Sequence, residues 1–212
     1  MFQNREEAGK LLAAELSKYK NNQDAVVLAI PRGGVVVGRQ IADKLSLPLI
    51  LAVVKKIGAP GNPELAIGAL APSNTKFIDW DLVFRSNVGQ DYLDAELDAK
   101  RNEIEERVQK FKIRNLKSVI RNKKIIILTD DGIATGATTR AAINYIKIIT
   151  KNQETIAKII LAIPVIAKET YDKIKKEVNK IFALEIPQSF NAVGQFYKEF
   201  PQVSDEEVME LL

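Results

Sequence analysis

Two adjacent aspartates, Asp130 and Asp131, close an apolar run and lead into a segment almost free of bulk, Gly132-Ile133-Ala134-Thr135-Gly136-Ala137-Thr138-Thr139. Glycine lets a backbone approach a ligand closely, and the N–H groups of such a loop and of a following first helical turn can cradle a phosphate. Thr135, Thr138 and Thr139 add hydroxyl donors. Two carboxylates beside a phosphate cradle repel the phosphate itself. The pair makes sense if the ligand also carries vicinal hydroxyls or brings Mg²⁺. A second small loop, Pro31-Arg32-Gly33-Gly34, follows another apolar run. There a guanidinium and backbone N–H groups could converge on an anion, although a tight turn with a solvated arginine is the plainer alternative.

The 212 residues include no cysteine and no histidine. Disulfides, thiolate zinc sites, cysteine nucleophiles and every imidazole-dependent triad are therefore excluded. Proton transfer falls to Asp, Glu, Lys, Tyr or held water, and any metal must be a hard cation on oxygen ligands, Mg²⁺ before zinc. Rival phosphate motifs fail on inspection. Ala137 follows Gly136 where a P-loop needs lysine, no GxGxxG is present, and the aspartates are adjacent rather than two apart as in phosphohydrolase nucleophile motifs.

These loops need elements to position them, and helix and strand signals alternate along the whole chain. Asn4 with Glu7 forms a capping-box pattern, and Ala8, Leu12, Leu16 and Tyr19 then share one helical face. AVVLAI (25–30) and KKIIILTD (123–130) are continuously apolar, the pattern of strands buried on both faces of a parallel sheet. Between them the pattern predicts a helix after residue 34, a strand over 47–56, a loop over 57–64, and strands at 65–70 and 76–84 that are antiparallel or at an edge. Leu93, Leu97, Ile104, Val108 and Phe111 mark a long amphipathic helix over 90–114. A helix over 138–149, a strand over 155–165, a helix over 167–178 and a strand over 180–186 follow. Ser204 with Glu207 caps a short final helix. The whole predicts a three-layer α/β fold with a mainly parallel sheet. One domain over 1–212 is expected, with a helical insertion at about 88–114 and a C-terminal segment at about 187–212.

The net charge of +4 is modest, but its distribution is uneven. Arg107 to Lys124 holds eight basic residues and no acidic one, whereas Glu199 to Leu212 holds five acidic residues and no basic one. A solvated helix face is the plain account of the basic span, and Phe111 within it continues the apolar stripe from Val108. No segment resembles a signal peptide or a membrane span. A cytoplasmic protein is expected, with no membrane partner, and nucleic acid is not the expected partner.

IIILTDDGIATGAT resembles the phosphoribosyl-pyrophosphate (PRPP) signature of the type I phosphoribosyltransferases. The resemblance implies that Asp130 and Asp131 hold the ribose hydroxyls, directly or through Mg²⁺. It implies that Ala134, Thr135, Gly136, Ala137 and Thr138, following Gly132, bind the 5′-phosphate. Pro31-Arg32-Gly33-Gly34 is similar to the pyrophosphate loop of that family, whose members often hold a non-proline cis peptide at the bond that here joins Pro31 to Arg32. Lys55 and Lys56 resemble the basic pair that reaches pyrophosphate from a neighbouring strand end, or else cap a strand as surface lysines. KKIGAPGNPELAIGAL, the N-terminal FQNREEAGKLLA and the C-terminal FNAVGQFYKEFPQVSDEEV are closer still to a bacterial branch of stand-alone phosphoribosyltransferases.

What the resemblance implies is a Mg²⁺-dependent enzyme. It would transfer 5-phosphoribosyl from PRPP to a nitrogenous acceptor and release pyrophosphate, with Asp130, Asp131, Arg32 and Lys55 carrying the chemistry. A homodimer is compatible with it. The alternatives are a non-catalytic PRPP or nucleotide sensor of the same fold, and a structural protein with a vestigial site. One departure bears on the acceptor: Ala134 stands where the hypoxanthine and guanine enzymes carry an acidic residue near N7 of the base. An acid elsewhere is then required, on 57–64 or 85–90, with Glu64 a candidate. Phe190, Phe196 and Tyr197 could cover a base, although packing of at least two of them is the simpler account.

Overall fold

Five short apolar runs form one parallel sheet in a computed structural model that describes residues 1–111, 119–120, 123–151 and 157–212. Its strands are β1 (Ala25–Ala29), β2 (Leu49–Leu51), β6 (Ile125–Thr129), β7 (Lys158–Val165) and β8 (Lys180–Glu185), in the order β2-β1-β6-β7-β8. Every pairing in this sheet is parallel. Val27, Ile127, Ile160 and Ala162 share one buried cluster with Leu12 of helix α1 (Arg5–Glu15), its C-cap Leu16, and Val37, Ile41 and Leu45 of helix α2 (Gly33–Leu45). Val26, Leu28, Ile126, Leu128 and Leu161, of the opposite parity, are fully buried as well. A strand buried on both faces gains nothing from alternation, so these runs are uniformly apolar. Each fully buried Leu or Ile contributes roughly 1.5–3 kcal/mol.

The chain separates into two compact units. The first comprises 1–52, 114–134 and 150–212 and contains the parallel sheet. It also holds α6 (Lys168–Ile174) and α7 (Asp205–Glu210). The second comprises 53–113 and 135–149. It is built on an antiparallel sheet of β3 (Lys55–Ala59), β4 (Asn62–Ala71) and β5 (Thr75–Ile78). Helices α3 (Trp80–Arg85) and α4 (Gln90–Lys110) complete its N-terminal part. Most of α5 (Ala137–Thr150) also falls in this second unit. Leu93, Leu97 and Ile104 of α4 pack with Val53, Ile57, Ile67 and Leu70 as a separate core. Among the described residues, no helix is long and apolar enough to cross a membrane.

Three expectations for the elements are corrected. The apolar run over 47–56 is two strands rather than one: Leu49–Leu51 joins the parallel sheet and Lys55–Ala59 the antiparallel one. Residues 57–64 are not a loop but a hairpin, in which Ala59 pairs with Asn62 across a Pro60-Gly61 turn. Gly61, at φ +71°, supplies the left-handed residue such a turn needs. Residues 80–84 are helical, because the Asp79 side chain accepts the Leu82 N–H and caps α3. The N-terminal cap is half a capping box. Asn4 accepts the Glu7 N–H as expected, but Glu7 reaches the Gln3 N–H, one residue before the cap. Ser204 and Glu207 form the complete box. Residues 112–118, 121–122 and 152–156, which include much of the basic span, lie outside the described residues, as does the Glu64 side chain.

Candidate ligand site at the β1 and β6 strand ends

Strand order places the two small loops side by side. The chain leaves β1 toward β2 on one flank and returns to β6 on the other. The carboxyl ends of β1 and β6 therefore flank the switch point at which open parallel sheets bind ligands. Pro31–Gly34 follows β1 and Asp130–Gly132 follows β6. The Pro31–Arg32 peptide is cis. Their closeness explains the glycines. A Cβ on Gly33 would stand 1.9 Å from Asp131 Oδ2, and one on Gly34 would stand 2.8 Å from the Asp130 Cα. Only bare backbone fits over the two aspartates.

The carboxylates have different surroundings. Asp131 Oδ2 accepts Arg5 Nε at 2.8 Å, and the Asp131 carbonyl accepts the Tyr197 hydroxyl at 2.5 Å. Arg5, at the start of α1, is only 7% exposed. Its Nη1 donates to the Pro201 carbonyl at 2.8 Å, and its guanidinium lies 3.7 Å from the centre of the Phe200 ring. Burial pushes the Tyr197 hydroxyl well above its ordinary value, so it remains a proton donor. Asp130 Oδ1 accepts the Asp131 N–H at 2.8 Å. Burial, and then the neighbouring charge of Asp131, raise the Asp130 carboxyl well above the ordinary carboxylate range. A cation or hydroxyl donor brought to Asp130 would relieve that cost.

The remaining residues fall into their own units. Arg32 is exposed, with Nη1 3.9 Å from Asp205 Oδ1 at the start of α7. Gly132 packs so closely that a Cβ would stand 2.4 Å from Val193. Beyond it, Ile133 bridges to Ile166, and the Ala134 carbonyl accepts the Thr170 hydroxyl. Thr135, Gly136, Ala137 and Thr138 lie in the second unit, where Gly136 has φ +78° and its carbonyl accepts the Arg140 N–H at the head of α5. Lys55 and Lys56 open β3 in that unit. The Lys55 ammonium donates to Glu103 of α4 at 2.7 Å. Burial opposes the Glu103 charge, but hydrogen bonds from Lys100 and Lys55 outweigh it and hold that carboxyl below its usual range. Lys56 is exposed.

Tyr197 is buried against Phe2 and stacks on Phe200, whereas Phe190 and Phe196 pair with each other and are half-buried. Phe111 is buried beneath Arg107, as the apolar stripe required. Sequence reasoning passed over Arg5, Glu103 and Asp205. Arg5 stands 126 residues from its partner, and no local pattern announces such a pair. Among the described residues no three acidic, His or Cys side chains gather as a metal cage. Two hard carboxylates at a strand end nevertheless fit Mg²⁺, which is commonly held by one or two carboxylates together with ligand oxygens and water.

Known proteins resemble this chain in sequence and in fold. The family model described as "Phosphoribosyl transferase domain" matches residues 2–200. The Mycobacterium tuberculosis H37Rv protein named "Putative phosphoribosyl transferase Rv0571c" is 33% identical over all 212 residues, and its CDC 1551 counterpart MT0597 matches equally. The chain spans about half the length of these curated relatives, 46%. The crystal structure of TT1426 from Thermus thermophilus is 33% identical with a TM-score of 0.73, covering 99% of this chain and 96% of that one. The Aquifex aeolicus protein AQ2163, 14% identical with a TM-score of 0.53 over 97% of this chain and 82% of that one, shares the fold alone. With a family model spanning nearly its full length, this chain belongs to the phosphoribosyl transferase domain family.

Proposed function

We propose that the protein is a PRPP-dependent phosphoribosyltransferase that passes 5-phosphoribosyl to a nitrogenous acceptor. The observation that carries this reading is the packing of the Gly33-Gly34 backbone directly over Asp130 and Asp131. It sets a glycine turn and two carboxylates against each other at adjacent strand ends, which suits a ligand that carries both vicinal hydroxyls and a pyrophosphate.

In this reading Asp130 and Asp131 accept the ribose hydroxyls, while the Arg32 guanidinium and the backbone N–H groups of Gly33 and Gly34 receive pyrophosphate. Residues 134–138 and the Lys55–Lys56 pair enter through the family motif, as the 5′-phosphate loop and further pyrophosphate ligands. The acceptor nitrogen lone pair forms the bond to C1 of the ribose as the C1–O bond to pyrophosphate breaks. The acceptor N–H proton passes to water or to a carboxylate. Anchoring the 5′-phosphate far from C1 spends binding energy on orientation, and cations on the leaving group stabilise the charge it gains. Mg²⁺ on Asp130 and Asp131 would supply further charge neutralisation. The test is calorimetric titration of PRPP with Mg²⁺, followed by product analysis with PRPP and a panel of ring-nitrogen acceptors. Binding and turnover support the reading. Binding without turnover on any acceptor favours a PRPP sensor, and absence of binding overturns both.

A further inference from the structure

We propose that Arg5 is a positioning residue: its guanidinium fork, braced by the C-terminal segment, sets the Asp131 carboxylate in the orientation that receives a ribose hydroxyl. This rests on the phosphoribosyltransferase reading and deepens it.

Helix stability does not account for Arg5. It is the first residue of α1, where a positive charge opposes the helix dipole, and it is buried. A buried ion pair is also often no more stabilising than apolar residues of the same volume. What the arrangement supplies is direction. Nε donates to Asp131 Oδ2 and Nη1 to the Pro201 carbonyl, so two of the three guanidinium nitrogens are tied to separate partners. The guanidinium face rests on Phe200, whose ring stacks on Tyr197 at 5.0 Å, and the Tyr197 hydroxyl in turn donates to the Asp131 main-chain carbonyl. Asp131 is thus held at its carboxylate and its backbone by one connected group of residues. From the other side, Gly33 packs so closely that a Cβ there would meet both Asp131 Oδ2 and Arg5 Nε. With Oδ2 committed to Arg5, Oδ1 is the oxygen assigned to the ligand. Arg5 touches no reacting atom; it acts through Asp131.

The experiment is calorimetry on the full chain and on Arg5→Met, with ribose 5-phosphate, its 2-deoxy and 3-deoxy analogues, PRPP and inorganic pyrophosphate. Thermal unfolding of each protein is followed in parallel. The folded variant should lose about tenfold or more of its preference for ribose 5-phosphate over one deoxy analogue, the scale of one well-aimed hydrogen bond to a charged group. Pyrophosphate binding should stay within about twofold. An equal loss on all ligands, pyrophosphate included, would mark a merely structural arginine and overturn the proposal, as would an unchanged preference. If Arg5→Met does not fold, Arg5→Lys decides. It keeps the charge but cannot span Asp131 and the Pro201 carbonyl together, and a wild-type preference in folded Arg5→Lys overturns the role of the fork. Failure of the unmodified protein to bind any of the phosphoribosyl ligands is a different result. It removes the phosphoribosyltransferase reading and this proposal with it.

Discussion

Adjacent in sequence, Asp130 and Asp131 differ in what their charge costs. Asp131 faces a buried guanidinium, so Asp131→Asn would leave Arg5 short of its counter-charge. The expected loss is roughly 2–4 kcal/mol, below that of a fully isolated charge because the Pro201 carbonyl and Phe200 remain. Chemical denaturation measures it directly. Asp130 carries the opposite expectation. Burial and the Asp131 charge raise its carboxyl, so ionising it opposes folding. Its favourable contribution is complete below the ordinary carboxylate range and is lost as pH rises through its raised value. Asp130→Asn should therefore be at least as stable as the unmodified protein near neutrality, and the two melting curves should converge on acidification. Melting temperatures of both proteins between about pH 4 and pH 8 check this. A variant that is less stable at neutral pH would show that the carboxylate is held by groups other than those seen. Under the proposed function both substitutions should weaken PRPP binding, since each would remove an oxygen acceptor for a ribose hydroxyl.

Among the elements, the β1 and β6 ends set the candidate site, and Gly34→Ala probes how tightly they are joined. The added methyl would meet the Asp130 main-chain Cα at 2.8 Å as well as Asp130 Oδ1 at 2.9 Å, so moving a side chain alone gives no relief and one loop must shift. A cost of about 1–3 kcal/mol is expected, together with a loss of pyrophosphate affinity larger than that stability change implies. Unfolding curves and calorimetry on the same variant separate the two. Leu93→Ala tests the other unit: the side chain is 1% exposed within the α4–hairpin core, and its removal should cost about 2–5 kcal/mol. These elements were unequally legible in the sequence. The buried parallel strands announce themselves because covering both faces demands uninterrupted Val, Ile and Leu. The 57–64 hairpin did not, because two glycines and two prolines outweigh the pairing when only composition is weighed. The chain takes them up as a Pro-Gly turn and a register shift at Gly58. The aspartates and the PRGG turn were visible from residue type alone. The Arg5, Tyr197 and Pro201 brace was not, since it exists only once distant segments have packed.

Under the proposed function the acceptor is chosen by the molecule as a whole, and no single motif names it. One constraint nevertheless follows from a side chain that is absent. An oxopurine acceptor gains from an acid bonded to N7, and by the family resemblance the mid-loop position that carries that acid in the hypoxanthine and guanine enzymes is matched here by Ala134. That residue is exposed, its carbonyl accepts the Thr170 hydroxyl, and its methyl side chain has no proton to offer a base. A backbone N–H or an ordered water can substitute only in part. Turnover of hypoxanthine or guanine should therefore lie about 10²–10⁴ below that of the preferred acceptor, the range that a positioned proton donor contributes. The assay uses PRPP, Mg²⁺ and a panel of purines, pyrimidines and small ring-nitrogen heterocycles. Efficient oxopurine turnover by the unmodified protein would sink the argument from Ala134. Turnover of adenine or orotate would place the acid outside 130–139. In that case Ala134→Asp should raise oxopurine turnover relative to adenine or orotate, because the substitution restores a carboxyl where N7 would lie without altering the Ala134 carbonyl that Thr170 holds.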